Sequence, residues 1–302
     1  MAKGFFIRIR TAGRYHLVTR YSRPLPGDND AARAAKQAAT TAAQKYINIK
    51  NATERLQLLL CANFDSKEAC FCTFTFTDEA LPANRKHAKE TFTGYIRSLR
   101  KIWKRDARPF RYIYTVEGEP LSSCPAAAPV AGSCWEITPW REGKRWEQLD
   151  TAAQDSAEKP TRLHTHCFLL LRKEDYETVR SLWTYGQVFI SPMKVNELTS
   201  FQRLANYVTK ESRAGAKGNG DRAYTPSTNL DQPVIDGHWC SEFEGIALPM
   251  GAEKISGGAD CNEIYGSSME YLFYRMPRGT QQPQPYKSKG KVYSKKKRPQ
   301  GQ

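Results

Sequence analysis

Two histidines stand one residue apart in the stretch RLHTHCFLLLR, residues 162–172, and the whole chain has only five. Alternate residues of a β-strand project to the same side, so a strand here sets His164 beside His166 and turns Thr165 away. Imidazoles held side by side on a rigid strand are either a pair of metal ligands or a pair of hydrogen-bonded core histidines. A hard cation also takes oxygen, and TVEGEP, residues 115–120, offers Glu117 or, as the runner-up, Glu119. Two imidazoles and a carboxylate leave open positions for a phosphate oxygen and water. Further on, LANYVTKES puts Tyr207 and Lys210 three residues apart, on one face of a helix. A phenol that attacks phosphorus gains from such an ammonium, which offsets the developing negative charge. The bland alternative is a packed ring next to a surface lysine.

These groups need elements to carry them. CFCTFTFTDE, residues 70–79, alternates aromatic, Thr and Cys residues and reads as a buried strand. HAKETFTGYIRSLRKIWKR then spaces Phe92, Tyr95, Ile96, Leu99, Ile102 and Trp103 for one apolar helix face, with a basic face opposite. FRYIYTVEGE is a second strand, residues 110–119, and the histidine stretch a third. KEDYETVRSLWTYG reads as a helix, QVFISPM as a fourth strand, residues 196–212 as another amphipathic helix, and SMEYLFYRM as a fifth strand. The expectation is an α+β fold with a central five-stranded antiparallel sheet and packed helices. Three regions are expected: a basic, largely helical stretch over 1–62, the main domain over 63–276 with an inserted excursion at 120–160, and a disordered basic tail over 277–302.

The charge balance points to a polyanionic partner. Lys and Arg number 46 against 31 Asp and Glu, a formal charge of +15. The excess is clustered: residues 85–111 hold ten basic and two acidic side chains, and the closing PYKSKGKVYSKKKRPQGQ holds seven basic and none acidic. Arg97, Arg100, Lys101, Lys104 and Arg105 on the basic helix are candidates for tracking a phosphate backbone. The eight cysteines include no CxxC pair, which argues against a zinc ribbon; Cys70, Cys72 and Cys167 read as small core residues in a reducing compartment, and Cys124 and Cys134 flank a loop. No run is long and apolar enough to span a bilayer, and charges interrupt the opening MAKGFFIRIRTAGRYHLVTR, so no membrane partner and a cytoplasmic location are expected.

FTFTDE, then HTH, then YVTK, in that order, resemble the motifs of the HUH endonucleases, specifically the rolling-circle replication initiators of small single-stranded DNA phages and plasmids. The resemblance covers roughly residues 60–275. It implies a bacterial host cytoplasm and a metal-dependent nickase acting on single-stranded DNA at a replication origin. His164, His166 and Glu117 would hold Mg or Mn, and Tyr207 would become linked to a 5′-phosphate while releasing a 3′-hydroxyl for a polymerase. Lys210 would steady the phosphate. A single-tyrosine transposase shares the motif order, and a non-catalytic nucleic-acid-binding module would explain the charge alone. Three features depart from the family pattern: Thr165 sits between the histidines, about forty residues separate the carboxylate and histidine strands, and position 203 is Arg where some phage initiators have a second tyrosine. One tyrosine implies a second copy of the chain or a further round of attack, and the absence of a G-x-x-x-x-G-K loop implies a host helicase.

Overall fold

The computed structural model describes residues 3–24, 41–118, 162–210, 222–262 and 267–279. In chain order these form β1 (Lys3–Ala12), β2 (Tyr15–Pro24), α1 (Thr41–Asn63), β3 (Ala69–Thr75), α2 (Arg85–Arg105), β4 (Tyr112–Glu117), β5 (His164–Leu170), α3 (Asp175–Ser181), β6 (Val188–Pro192), α4 (Ser200–Val208), β7 (Thr225–Pro226), β8 (Val234–Cys240), β9 (Glu253–Asn262) and β10 (Ser267–Arg275). The fold is α+β, but it holds two five-stranded antiparallel sheets where the sequence led us to expect one. Their strand orders are β8-β1-β2-β10-β9 and β6-β3-β5-β4-β7. The chain divides into two compact units accordingly: Met1–Asn63 with Asp231–Gln302, and Phe64–Leu230. No helix among the described residues is long and apolar enough to cross a membrane.

In the first unit, β1 and β2 are a hairpin in a region expected to be largely helical. The reason is legible in FFIRIR and YHLVTRY, whose period is two and not 3.6. Ala12 pairs with Tyr15, which leaves the two-residue loop Gly13-Arg14. Gly13 has φ 59° there while Arg14 keeps an ordinary φ, and a two-residue hairpin loop of this kind calls for glycine at its first position. Ile7, Val18, Leu272 and Tyr274 form a core on one side of the sheet, with Ile246 and Ala252 packed against them. SMEYLFYRM, expected as the fifth strand of the histidine sheet, is β10 of this sheet instead. Residues 231–276 thus belong to a different unit from the one that carries the histidines.

The second unit is built on alternation. In β3, Cys70, Cys72 and Phe74 are buried while Phe71, Thr73 and Thr75 lie on the other side, half-buried. Cys72 and Phe74 join Tyr114, Val116, Cys167 and Leu169 in a core closed by α2 and by Trp183. Phe74 packs against the rings of Phe92, Tyr95 and Trp183 at 5.0, 5.1 and 5.3 Å, and the Tyr95 hydroxyl donates to the Val179 carbonyl at 2.8 Å. Helix α2 begins where the Asn84 side chain accepts from the His87 N–H at 2.9 Å, and ends on Lys104 and Arg105, cations favoured at a helix C-terminus. Phe92, Tyr95, Ile96, Leu99 and Trp103 are its buried face, as the spacing predicts, with Ile102 partly buried beside them. The fifth strand of this sheet is the short β7, pairing on β4. Glu119, Cys124, Cys134, the 120–160 excursion and the tail from 280 onward lie outside the described residues.

Candidate metal centre and adjoining tyrosine

Strand β5 lies between β3 and β4, so its side chains are neighboured on both sides. The register sets Thr75, His164 and Glu117 in one row across the three strands, and Thr73, His166 and Thr115 in the next. All six therefore project from the same sheet face. Thr165 points to the other, into the core beside Phe74 and Val116. The long connection between β4 and β5 does not prevent their direct pairing, and it is Glu117 that faces His164. The strand ends at once after it: Gly118 has φ 92°, a value that side-chain-bearing residues rarely adopt.

His164 Nε2 and His166 Nε2 are 3.1 Å apart, and Glu117 Oε2 is 3.6 Å from the second and 3.9 Å from the first. Atoms at these spacings share a point about 2.1 Å from each, a normal bond length from a small divalent cation to nitrogen or oxygen. The donor chemistry fits as well. His164 Nδ1 lies 2.8 Å from the Arg162 carbonyl, which can only accept, so Nδ1 carries the proton and Nε2 presents its lone pair to that point. His166 Nδ1 contacts the Thr73 hydroxyl at 3.0 Å, and its ring stacks on Phe71 with centroids 4.9 Å apart. Both imidazoles are thus oriented through their far nitrogens, as metal-ligating histidines are. Glu117, His164 and His166 together can hold a metal ion.

Helix α4 buries Phe201, Ala205 and Val208, and Tyr207 falls off that stripe. Its hydroxyl is 3.4 Å from His166 Nε2, and Phe71 meets its ring edge-on at 6.1 Å. Lys210, just past the Thr209 C-cap, holds its Nζ 4.4 Å over the Tyr207 ring and 3.9 Å from Glu117 Oε2. Exposure rises across the group, from 0% for Glu117 and 4% for His166 to 41% for Tyr207, so the phenol lies on the side open to solvent. The structure brings together all five residues that the sequence singled out for the centre. Thr73 and Phe71, which orient His166, were not singled out; the aromatic and Thr alternation of β3 was the available signal.

The basic candidates fall elsewhere. Arg97, Arg100, Lys101, Lys104 and Arg105 are exposed on α2, but α2 packs on the core face of the sheet, opposite the histidines. They do not line the centre. Arg203, where a second tyrosine would stand, pairs with Glu197 at 3.3 Å. Compared with protein-family models, curated proteins and solved structures, the chain matches none.

Proposed function

We propose that the Phe64–Leu230 unit is a metal-dependent nickase of single-stranded DNA, of the rolling-circle initiator type, with Tyr207 as its nucleophile. One observation carries the reading: a half-exposed phenol 3.4 Å from an imidazole nitrogen that is itself one corner of a metal-sized triangle. A buried ligand set alone would serve structure equally well. An exposed tyrosine and a lysine converging on its open side are what a transfer reaction needs.

In this reading Tyr207 Oη attacks the scissile phosphorus, the bond from phosphorus to the 3′-oxygen breaks, and that oxygen leaves as a 3′-hydroxyl after taking up a proton. The protein keeps the 5′-phosphate as a phosphotyrosine ester. Lys210 lies against the ring and offsets negative charge as the phenol ionises. Phe71 and Thr73 hold His166 still, so little reorganisation is needed when substrate arrives. A divalent cation such as Mg or Mn, when bound by Glu117, His164 and His166, supplies Lewis-acid polarisation of the phosphoryl oxygen. The partners of such an activity are an origin single strand, a host helicase and polymerase, and a second copy of the chain to finish the cycle.

The test is to incubate the chain with single-stranded origin DNA and Mn, then look for an adduct that survives denaturation. Wild type should form it, and Tyr207→Phe should bind the strand equally while forming none. An adduct that persists in Tyr207→Phe would overturn the assignment.

A further inference from the structure

The other unit carries a surface that the proposed chemistry does not use. The sheet register places Trp239 of β8, Phe6 of β1 and Tyr21 of β2 in one row on one face, with Arg8 of β1 and Tyr271 of β10 in the row beside it. The opposite face is the Ile7, Val18, Leu272 and Tyr274 core. On the aromatic face the end near the β1–β2 loop is covered: Arg10 pairs with Glu54 of α1 at 2.5 Å, and Leu17 is buried. The far end is open. Trp239 is 41% exposed and Tyr271 39%, large fractions for indole and phenol on a sheet, and Arg8 is exposed beside them.

Phe6, Tyr21 and Trp239 are in ring contact, with Tyr271 in the neighbouring row. Phe6 meets Trp239 edge-on at 5.4 Å and Tyr21 at 5.9 Å. Gly237 gives Phe6 its room, since a Cβ there would lie 2.7 Å from the Phe6 ring; Gly258 likewise lies under Tyr271, at 3.4 Å. Arg8 sits over the Tyr21 ring at 5.4 Å and donates to its hydroxyl at 2.8 Å, which fixes a cation among the rings. The hairpin that carries Phe6, Arg8 and Tyr21 is basic: residues 3–24 include six Lys or Arg and no acidic side chain.

We infer that this face binds a single-stranded nucleic acid, whose bases stack on Trp239 and Tyr271 while Arg8 meets the phosphates. Flat rings alone would suit a protein partner. Rings interleaved with guanidinium, on a hairpin without acids in a chain of charge +15, suit a polyanion that has planar apolar faces. A duplex is that polyanion with its base faces hidden, so the strand must be single. The surface is on the unit that lacks Tyr207, and it stands whether or not the chain cleaves DNA.

The experiment is fluorescence anisotropy of the full chain with labelled oligo(dT) and oligo(rU), in EDTA so that no cleavage occurs. Trp239→Ala/Tyr271→Ala should bind at least about tenfold more weakly. Trp239→Phe/Tyr271→Phe, which keeps two stacking rings, should stay within about threefold of wild type. Arg8→Ala should reduce the salt dependence of binding by about one released ion. Both oligomers binding alike assigns the site to base stacking and phosphate, and oligo(dT) alone assigns it to DNA. Equal binding by the alanine variant and wild type, in a chain shown folded by circular dichroism, would overturn the inference. So would equal losses in the alanine and phenylalanine variants, or a wild-type dimer that the alanine changes dissociate, since the face is then an interface between copies. Adduct formation on saturating origin strand with Mn, measured in parallel, separates the two proposals: the alanine variant should still form it, and a chain that never forms it yet loses oligomer binding sinks only the nickase.

Discussion

Glu117→Gln preserves volume and removes the single anionic corner of the ligand triangle. Glu117 Oε2 sits 3.6 and 3.9 Å from the two imidazole nitrogens, so a bound ion lies about 2.1 Å from it. At that range one negative charge and a divalent cation attract by roughly 15 kcal/mol even at an effective dielectric near 20. Most of this is cancelled by the hydration that the ion gives up. Retaining about 2.7 kcal/mol of it in the wild type corresponds to a hundredfold difference in affinity. Metal at a hundred times the wild-type Kd then stabilises the native unit by about 2.7 kcal/mol, or roughly 5–10 °C in Tm for a unit of this size. The same concentration stabilises the glutamine variant by only about 0.4 kcal/mol. The assay is thermal unfolding with and without Mn, with hydrogen exchange of the β3–β5 amides to locate the protection. A variant that keeps more than about 2 kcal/mol of metal-dependent stabilisation would refute the ligand role of Glu117.

Three further outcomes follow from the same geometry. Thr73→Val deletes the 3.0 Å contact to His166 Nδ1, and calorimetric titration should show Mn affinity reduced by about tenfold with the fold intact. Thr165 is fully buried, and its hydroxyl has no hydrogen-bond partner among the described residues, so Thr165→Val should raise unfolding stability by about 1 kcal/mol and leave metal affinity unchanged. Burial pushes the Asp175 carboxyl up, but the Arg108 guanidinium, at 2.7 and 2.8 Å, and the Arg172 backbone N–H outweigh it and hold the carboxyl below its usual value. Because the folded value is the lower one, this pair stabilises fully above about pH 4 and its contribution is lost as pH falls through the folded value. Denaturant titrations should show Asp175→Asn less stable by about 2 kcal/mol at pH 7, and the gap from wild type closing in acid.

What could be read from the chain, and what could not, divides along the range of the interactions. His164 with His166, and Tyr207 with Lys210, are short-range statements: a strand repeats every two residues and a helix places i and i+3 together, so each pair shares a side wherever the element goes. The apolar stripe of α2 is of the same kind. That Glu117 faces His164 depends on which strands become neighbours, and no local pattern states this; the 46-residue separation of those two residues even argued against it. β10 is the sharper case. SMEYLFYRM reads as a strand, correctly, but nothing in nine residues says whether it joins a sheet begun at Ala69 or one begun at Lys3. A largely helical reading of residues 1–62 leaves no second sheet for β10 to join, and the hairpin β1–β2 supplies it.

The basic helix face lies on the side of the sheet away from the proposed chemistry. The alternation in β3, β4 and β5 gives one face to Cys72, Phe74, Tyr114, Val116, Cys167 and Leu169, and helix α2 can bury its aromatic stripe only there. Its basic face must then look away from the sheet, and the histidine face must be filled by something else, which is α4 with Tyr207. The cations of Arg97 through Arg105 are therefore separated from the centre by the full thickness of the sheet and a helix, about 10 Å for each layer packed. That exceeds the reach of screened charge at physiological salt. If the proposed nicking takes place at this centre, removing them should weaken overall strand affinity and its salt dependence while leaving the rate of the bound complex unchanged. In the proposed nickase, Lys210, 4.4 Å from the phenol ring, is the cation placed to act on the step itself.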